Sequence, residues 1–294
     1  MQPDLSGVTV AVLGGDAREK ILVERLAASG ANLKVVGLPV AGERIISCHE
    51  IARVLAGADA LILPVPGIDD GGRIHSRYLE QPLILLEEHL TLLVPGSPVL
   101  VGMARPKLKE MVARANLRLI ELMDMDEVAI LNSIPSAEGA IQVAMERLPI
   151  TIHGSNSVVL GFGRTGITLA RILHALGART VVVARNPAQR ARAYEMGLVT
   201  ADLTGLPEVV AEADVIFNTI PALVLDEQVL VRVRPGTLIL DLASSPGGTD
   251  FEAARRLGIT ALLLPGLPGR VAPQTAGEIL AKVVPRLLAE QLAL

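Results

Sequence analysis

Two kinds of apolar pattern alternate along this chain. The first is the short unbroken run: "VTVAVLGG" (8–15), "LKVVGL" (33–38), "ADALILPVP" (58–66), "SPVLVGM" (97–103) and "LRLIELM" (117–123). The second recurs every three to four residues. In "AREKILVERLAAS" (17–29), Ile21, Leu22 and Leu26 place apolar groups on one helical face, and "RPKLKEMVARA" reads the same way. Buried-type strands alternating with helices predict a parallel sheet covered on both faces.

The second half repeats this grammar more strictly. "SVVLG" (157–161), "RTVVVAR" (179–185), "ADVIFNTIP" (213–221), "GTLILDLAS" (236–244) and "ITALLLPG" (259–266) read as strands. "RTGITLARILHALG" (164–177), "AQRARAYEMG" and "FEAARRLG" read as helices between them. The expectation is an α/β chain of two doubly wound parallel-sheet domains with a cleft between them. Its parts are a flavodoxin-like substrate domain (1–132), a bridging helix bracketed by Pro135 and Pro149 (133–150), a Rossmann domain (151–272) and a C-terminal helix (273–294). That last helix is expected to break or kink at Pro285 and to pack back toward the first domain.

Composition narrows the class. The chain has 294 residues, 50% hydrophobic and 20% charged, which suits a globular protein of two ordinary domains. No apolar run approaches the roughly 18 residues of a membrane span. No basic stretch precedes the first apolar run, so it reads as a strand rather than a signal peptide. A net charge of −4 and 2% aromatics argue against a nucleic-acid partner, which wants a basic face and stacking rings. Cys48 is the single cysteine, which excludes an internal disulfide and fits a reducing cytoplasm. No Cys/His cluster points to a metal.

The sharpest motif is "LGFGRTG" (160–166), where Gly161, Gly163 and Gly166 form G-x-G-x-x-G after a strand and at the start of a helix. In that setting the first glycine permits the tight turn. The second removes a Cβ where a pyrophosphate approaches, and the third lets helix and strand lie close. Phe162, Arg164 and Thr165 complete the loop, and the helix N-terminus offers free N–H groups to phosphate. The bland alternative is a tight turn without a ligand. At the end of the next strand an NAD enzyme usually carries an acid for the ribose hydroxyls. Here Ala184, Arg185, Asn186 and Arg190 stand instead, which favours the 2′-phosphate of NADP. The remaining strand ends line the same edge: Asn218, Thr219, Ile220 and Pro221, then Asp241, Leu242 and Ala243.

Several of these motifs occur together. "NSIPSAEGAI", "TIHGSNSVVLGFGRTG", "VVVARNPAQRARAYEMG", "NTIPA", "LDLASSPGGTDF" and "LPGLPGRVAPQTAGEIL" run almost continuously from 132 to 281. As a string they resemble the dipicolinate synthase A-subunit family. The first half is similar in length and strand grammar, with weaker motifs. The resemblance implies an oxidoreductase with NADP as cofactor, acting on dihydrodipicolinate to give dipicolinate in the cytoplasm of the mother cell of a sporulating bacterium. It also implies a flavoprotein-like partner, the dipicolinate synthase B-subunit. More distantly the layout resembles D-2-hydroxyacid and alanine dehydrogenases. Another NADP dehydrogenase of that type and a non-catalytic nucleotide-sensing subunit are the alternatives, and a homo-oligomer is compatible with all three.

A substrate with two carboxylates requires cationic subsites, for which Arg18, Arg73 and Arg270 are the candidates. Aromatisation removes a hydride and a proton, so a modest base suffices, and His75 and Glu138 are the candidate bases. Each has a plain structural alternative: an arginine or an acid in a first helical turn is commonly just solvated or dipole-matched.

Overall fold

The computed structural model describes residues 3–294. Its first half runs β1 (Thr9–Leu13), α1 (Ala17–Ala28), β2 (Asn32–Val36), β3 (Ile45–Ser47), α2 (Ile51–Leu55) and β4 (Ala60–Ile62). A short antiparallel pair follows, β5 (Arg73–Ile74) and β6 (Leu83–Ile84), then α3 (Glu87–Leu90), β7 (Pro98–Val101), α4 (Pro106–Arg114) and β8 (Arg118–Glu121). The long helix α5 (Asp126–Arg147) leads to β9 (Asn156–Leu160), α6 (Arg164–Ala175), β10 (Arg179–Val183), α7 (Pro187–Glu195), β11 (Val199–Ala201), α8 (Leu206–Ala211) and β12 (Val215–Asn218). The chain ends with α9 (Glu227–Leu230), β13 (Leu238–Asp241), α10 (Phe251–Arg256), β14 (Thr260–Leu263), α11 (Leu267–Val271) and α12 (Pro273–Leu292).

Two six-stranded parallel sheets result, ordered β3-β2-β1-β4-β7-β8 and β11-β10-β9-β12-β13-β14. With the β5–β6 pair set aside, both count 3-2-1-4-5-6, the order of dinucleotide-binding sheets. The flavodoxin-like expectation for the first domain is therefore corrected, because that layout runs 2-1-3-4-5. Periodicity finds strands but not their neighbours. The edge strand β3 is three residues long and not buried, so it left no apolar run to read.

In the second sheet, alternate residues feed two cores, as strand geometry requires. Val159, Val182, Phe217 and Leu240 join Leu169 and Leu173 of α6 and Ala137, Ala140 and Ala144 of α5. Val158, Leu160, Ile216 and Ile239 join Val210 of α8 and Ala253 and Ala254 of α10 on the other face.

The chain divides into two compact units, one comprising residues up to Ala129 together with Ala272–Leu294, the other Ile130–Val271. Helix α12 thus belongs to the first unit, where it lies against α1. A Cβ at Gly277 would sit 2.8 Å from Ile21 Cδ1 and 3.0 Å from the Arg18 carbonyl, so this crossing is close enough to require glycine. Neither helix stops at its proline. α5 begins before the expected bridge and runs through Pro135, where the Ser133 and Ser136 hydroxyls donate to the carbonyls of Ile130 (2.6 Å) and Asn132 (2.8 Å). α12 continues through Pro285, and its buried face outweighs the hydrogen bond that proline forfeits.

Candidate functional site

In the second unit the turn from β9 into α6 has the three glycine environments that the motif calls for. Gly161 has φ +90°, and a Cβ there would meet Thr219 Oγ1 at 2.6 Å. A Cβ on Gly166 would lie 2.2 Å from the Gly161 carbonyl oxygen, so the helix and the turn touch backbone to backbone. Gly163 differs: a Cβ there would find no atom within 4 Å. The space in front of it is open, and Gly163 caps α6 with no side-chain acceptor. An open approach to an uncapped helix N-terminus fits a phosphate-bearing ligand. Arg164 is exposed and Thr165 half-buried beside it, while Phe162 is 2% exposed and is a core side chain, leaving only its backbone for a ligand.

The other strand ends divide into groups that face outward and groups that build the frame. Arg185 is exposed just beyond β10, and the turn from there into α7 (184–190) contains no acid. Asn186 caps α7 by accepting from the Ala188 N–H at 2.8 Å. Arg190 folds back, its Nη1 donating to the carbonyls of Ala184 (2.8 Å) and Arg185 (2.9 Å), which fixes the turn that presents Arg185. Ala184 itself is buried.

Asn218 and Asp241, read from the sequence as cofactor contacts, are both 0% exposed. Asn218 donates to Asp241 Oδ2 (3.1 Å) and to the Ile220 carbonyl (3.1 Å) and accepts from the Ile220 N–H (3.0 Å). Asp241 accepts from the Ala243 and Gly248 N–H groups and from the Thr249 hydroxyl. These side chains are spent on shaping the loops, so their assignment as direct contacts is corrected. Thr219 donates its hydroxyl to the Leu160 carbonyl at 2.8 Å. Ile220, Pro221 and Leu242 remain at least partly exposed at this edge, and Ala243 is buried.

The first unit answers the same question differently. Its turn after β1 also carries two glycines, but the space is filled by the chain. A Cβ on Gly14 would lie 2.6 Å from the His75 carbonyl oxygen, and the Gly15 N–H donates to that same oxygen at 2.8 Å. Asp16 then caps α1, accepting from the Arg18 N–H at 3.0 Å, and Glu19 reaches back to the Asp16 N–H at 2.8 Å. The positive end of this helix already holds its own carboxylates, which repel a pyrophosphate. The sheet order is that of a nucleotide-binding fold, yet the phosphate seat is occupied by side chains.

Arg18, read from the sequence as a cation for a substrate carboxylate, is instead the centre of a buried cluster, its guanidinium taken up by Asp16. Arg18 is 6% exposed and bonds Asp16 through two nitrogens; Glu19 is 1% exposed and also accepts from the Val65 N–H at 3.1 Å. Burial works against the charge of Asp16, yet the Arg18 hydrogen bonds outweigh it and hold the carboxyl below its ordinary value. Burial pushes Glu19 up to about 7 despite the nearby Arg18 charge. His75, half-exposed, places Nε2 3.8 Å from Asp16 Oδ2. Arg73 is exposed on β5. Asp16 and Glu19 were missed from the sequence, although "DARE" has the D-x-x-E spacing of a capping box.

The two remaining candidates lie in the second unit. Arg270 is exposed on α11. Glu138 is exposed on α5 and lines an apolar groove of about 400 Å³ with Ile172 and Leu176. Ile172 is eight residues past Arg164, about 12 Å along α6 from its N-terminus at 1.5 Å per residue. Within this unit Glu138 therefore lines the groove between α5 and α6 and not the glycine loop.

Comparison with known proteins gives these sites a family. Residues 9–123 match the N-terminal domain of the dipicolinate synthase A-subunit, and residues 135–243 match the NAD binding domain of D-isomer specific 2-hydroxyacid dehydrogenases. The chain is 42% identical over 289 residues to the dipicolinate synthase A-subunit of Bacillus subtilis (strain 168), covering 97% of each. The crystal structure of the dipicolinate synthase A-subunit from Bacillus halodurans superposes with a TM-score of 0.94 at 39% identity, covering 97% of this chain and 99% of that one. The corresponding crystal structure from Bacillus subtilis gives 0.92 at 42% identity, covering 98% of each.

Proposed function

The chain belongs to the dipicolinate synthase A-subunit family, and we propose that it oxidises dihydrodipicolinate to dipicolinate, pyridine-2,6-dicarboxylate, with NADP rather than NAD. It is an NAD(P)-dependent oxidoreductase with a 2-hydroxyacid-dehydrogenase-type dinucleotide domain. The observation that carries the finer reading is Arg185, exposed at the end of β10 where an acid would select NAD. The open space before Gly163 and the uncapped start of α6 would hold the pyrophosphate, and Arg185 the 2′-phosphate. When bound, the dinucleotide supplies the hydride acceptor.

The rest falls to this chain's residues. The substrate loses one hydride and one proton and becomes aromatic, so a single modest base is enough. His75 takes that proton, with the Asp16 carboxylate facing its Nε2. Arg73, exposed on β5 of the same unit, pairs with a substrate carboxylate, and Arg270, exposed on α11 of the second unit, is a separate candidate for a carboxylate. Arg18 acts through Asp16, which it holds in place, rather than on the substrate. The flavoprotein-like B-subunit completes the activity in the mother-cell cytoplasm of a sporulating bacterium, a reading supported by the A-subunit designation of the relatives.

Calorimetric titration of NADP and NAD tests the nucleotide assignment. NADP is expected to bind more tightly, and Arg185→Ala to weaken NADP selectively by about 1.5–3 kcal/mol, the range of a charge-assisted contact. Equal affinities in the native chain, or equal losses for both nucleotides in the variant, would contradict it.

A further inference from the structure

Glu19 is too deeply buried to reach a substrate, yet its carboxylate joins two distant parts of the first unit. Oε2 accepts from the Asp16 N–H at 2.8 Å, and Oε1 accepts from the Val65 N–H at 3.1 Å, 46 residues further along the chain. The first bond is the ordinary closure of a capping box. The second is not, because Val65 lies beyond the end of β4 and has no part in α1. Both ends of this bridge lead to His75. The His75 N–H donates to the carbonyl of Gly67, two residues past Val65, at 3.3 Å. The His75 carbonyl accepts from the N–H of Gly15, next to Asp16, at 2.8 Å. The bonds close a ring through Glu19, Val65, Gly67, His75, Gly15 and Asp16. Gly15 has φ +123°, and a Cβ there would lie 2.7 Å from Glu19 Cγ, so the side chain folds directly over the turn. Desolvating a carboxylate is costly, and a cap at an exposed helix end would avoid it; what the buried position adds is the bond to Val65.

We propose that Glu19 is a positioning residue that sets His75 against Asp16; its catalytic consequence rests on the reading of His75 as the base. Arg18 holds the Asp16 carboxylate, and Glu19 holds the Asp16 backbone and, through Val65, the loop that returns to His75. The 3.8 Å approach of Nε2 to Asp16 Oδ2 is thereby fixed by backbone on both sides. Arg73, on the same loop, depends on Glu19 less. Its N–H donates to the Asp69 side chain at 2.9 Å, and its carbonyl accepts from the Asp69 N–H at 3.0 Å. Opening the ring therefore acts on proton removal and spares the grip on a substrate carboxylate.

Amide hydrogen exchange of the full chain, resolved by residue, tests this together with turnover. The Val65 and His75 amides are expected to be protected in the native chain. Glu19→Gln keeps the length but replaces one acceptor with a donor. Glu19→Asp keeps the charge but is one methylene too short to span both N–H groups. Each should speed exchange at Val65 and His75 by roughly tenfold or more and leave Leu22 and Val23, in the middle of α1, within about twofold. Each should also lower kcat by roughly tenfold while KM for dihydrodipicolinate changes less than about threefold. If only Asp16 and the first turn of α1 respond, Glu19 is a cap and nothing more, and the inference is overturned. A native Val65 amide that exchanges without protection overturns it as well, whether or not the variants fold. Faster exchange with unchanged turnover in both Glu19→Gln and His75→Ala would uphold the ring and remove His75 as the base, so the two readings fail separately.

Discussion

Arg18 holds Asp16 at two points, Nε to Oδ1 at 3.0 Å and Nη2 to Oδ2 at 2.8 Å, and neither side chain is more than a tenth exposed. Breaking such a pair from one side leaves a buried charge without its counter-ion. Arg18→Ala is expected to cost about 3–5 kcal/mol of stability. Arg18→Lys should recover only part of that, because an ammonium cannot reproduce the planar fork. Denaturant midpoints of the three proteins measure it, and a loss below about 1 kcal/mol for Arg18→Ala would mean that the pair does not hold the turn.

Glu19 gives a pH signature of definite sign. Its carboxyl is pushed up to about 7 in the folded chain from an ordinary 4.5, so the folded state binds that proton more tightly than the unfolded state. The stabilising contribution is fully present below about 4.5 and is lost as pH rises through about 7. The loss across this window is roughly 3 kcal/mol at 1.36 kcal/mol per pH unit. Glu19→Gln should remove that slope. Unfolding free energies of both proteins at pH 5 and pH 8 test it, and parallel pH dependence would contradict it.

The glycine loop separates fold from ligand. Gly163→Ala places a methyl in open space, so thermal stability should hold while NADP affinity falls by about tenfold or more, near 1.4 kcal/mol. Gly166→Ala drives a methyl to 2.2 Å from the Gly161 carbonyl oxygen and should reduce stability and affinity together. A Gly163→Ala protein that binds NADP normally would show that the phosphate does not approach there.

The sequence made this loop legible because its glycines obey a spacing that backbone geometry imposes. The long strands were legible because they are buried on both faces. Sheet order was less so: the half-exposed β3 left little apolar signal, and both sheets turned out to share one order. Asn218 and Asp241 were placed at the right edge, but position in sequence does not reveal which way a side chain is consumed, and both are buried in their own hydrogen bonds. Asp16 and Glu19 carried a readable capping-box spacing. Their significance arises only when His75, just after β5, and Val65, just after β4, close over them from far along the chain.

The most direct test of the account is turnover. The purified chain, alone and with the B-subunit, is supplied with freshly generated dihydrodipicolinate and NADP, and the absorbances of NADPH and dipicolinate are followed together. The account predicts that the two products appear in equal amounts, with full rate only when both components are present and with a sharp loss in His75→Ala. Dipicolinate formed without NADPH would contradict it, as would the absence of NADPH formation even with the partner present.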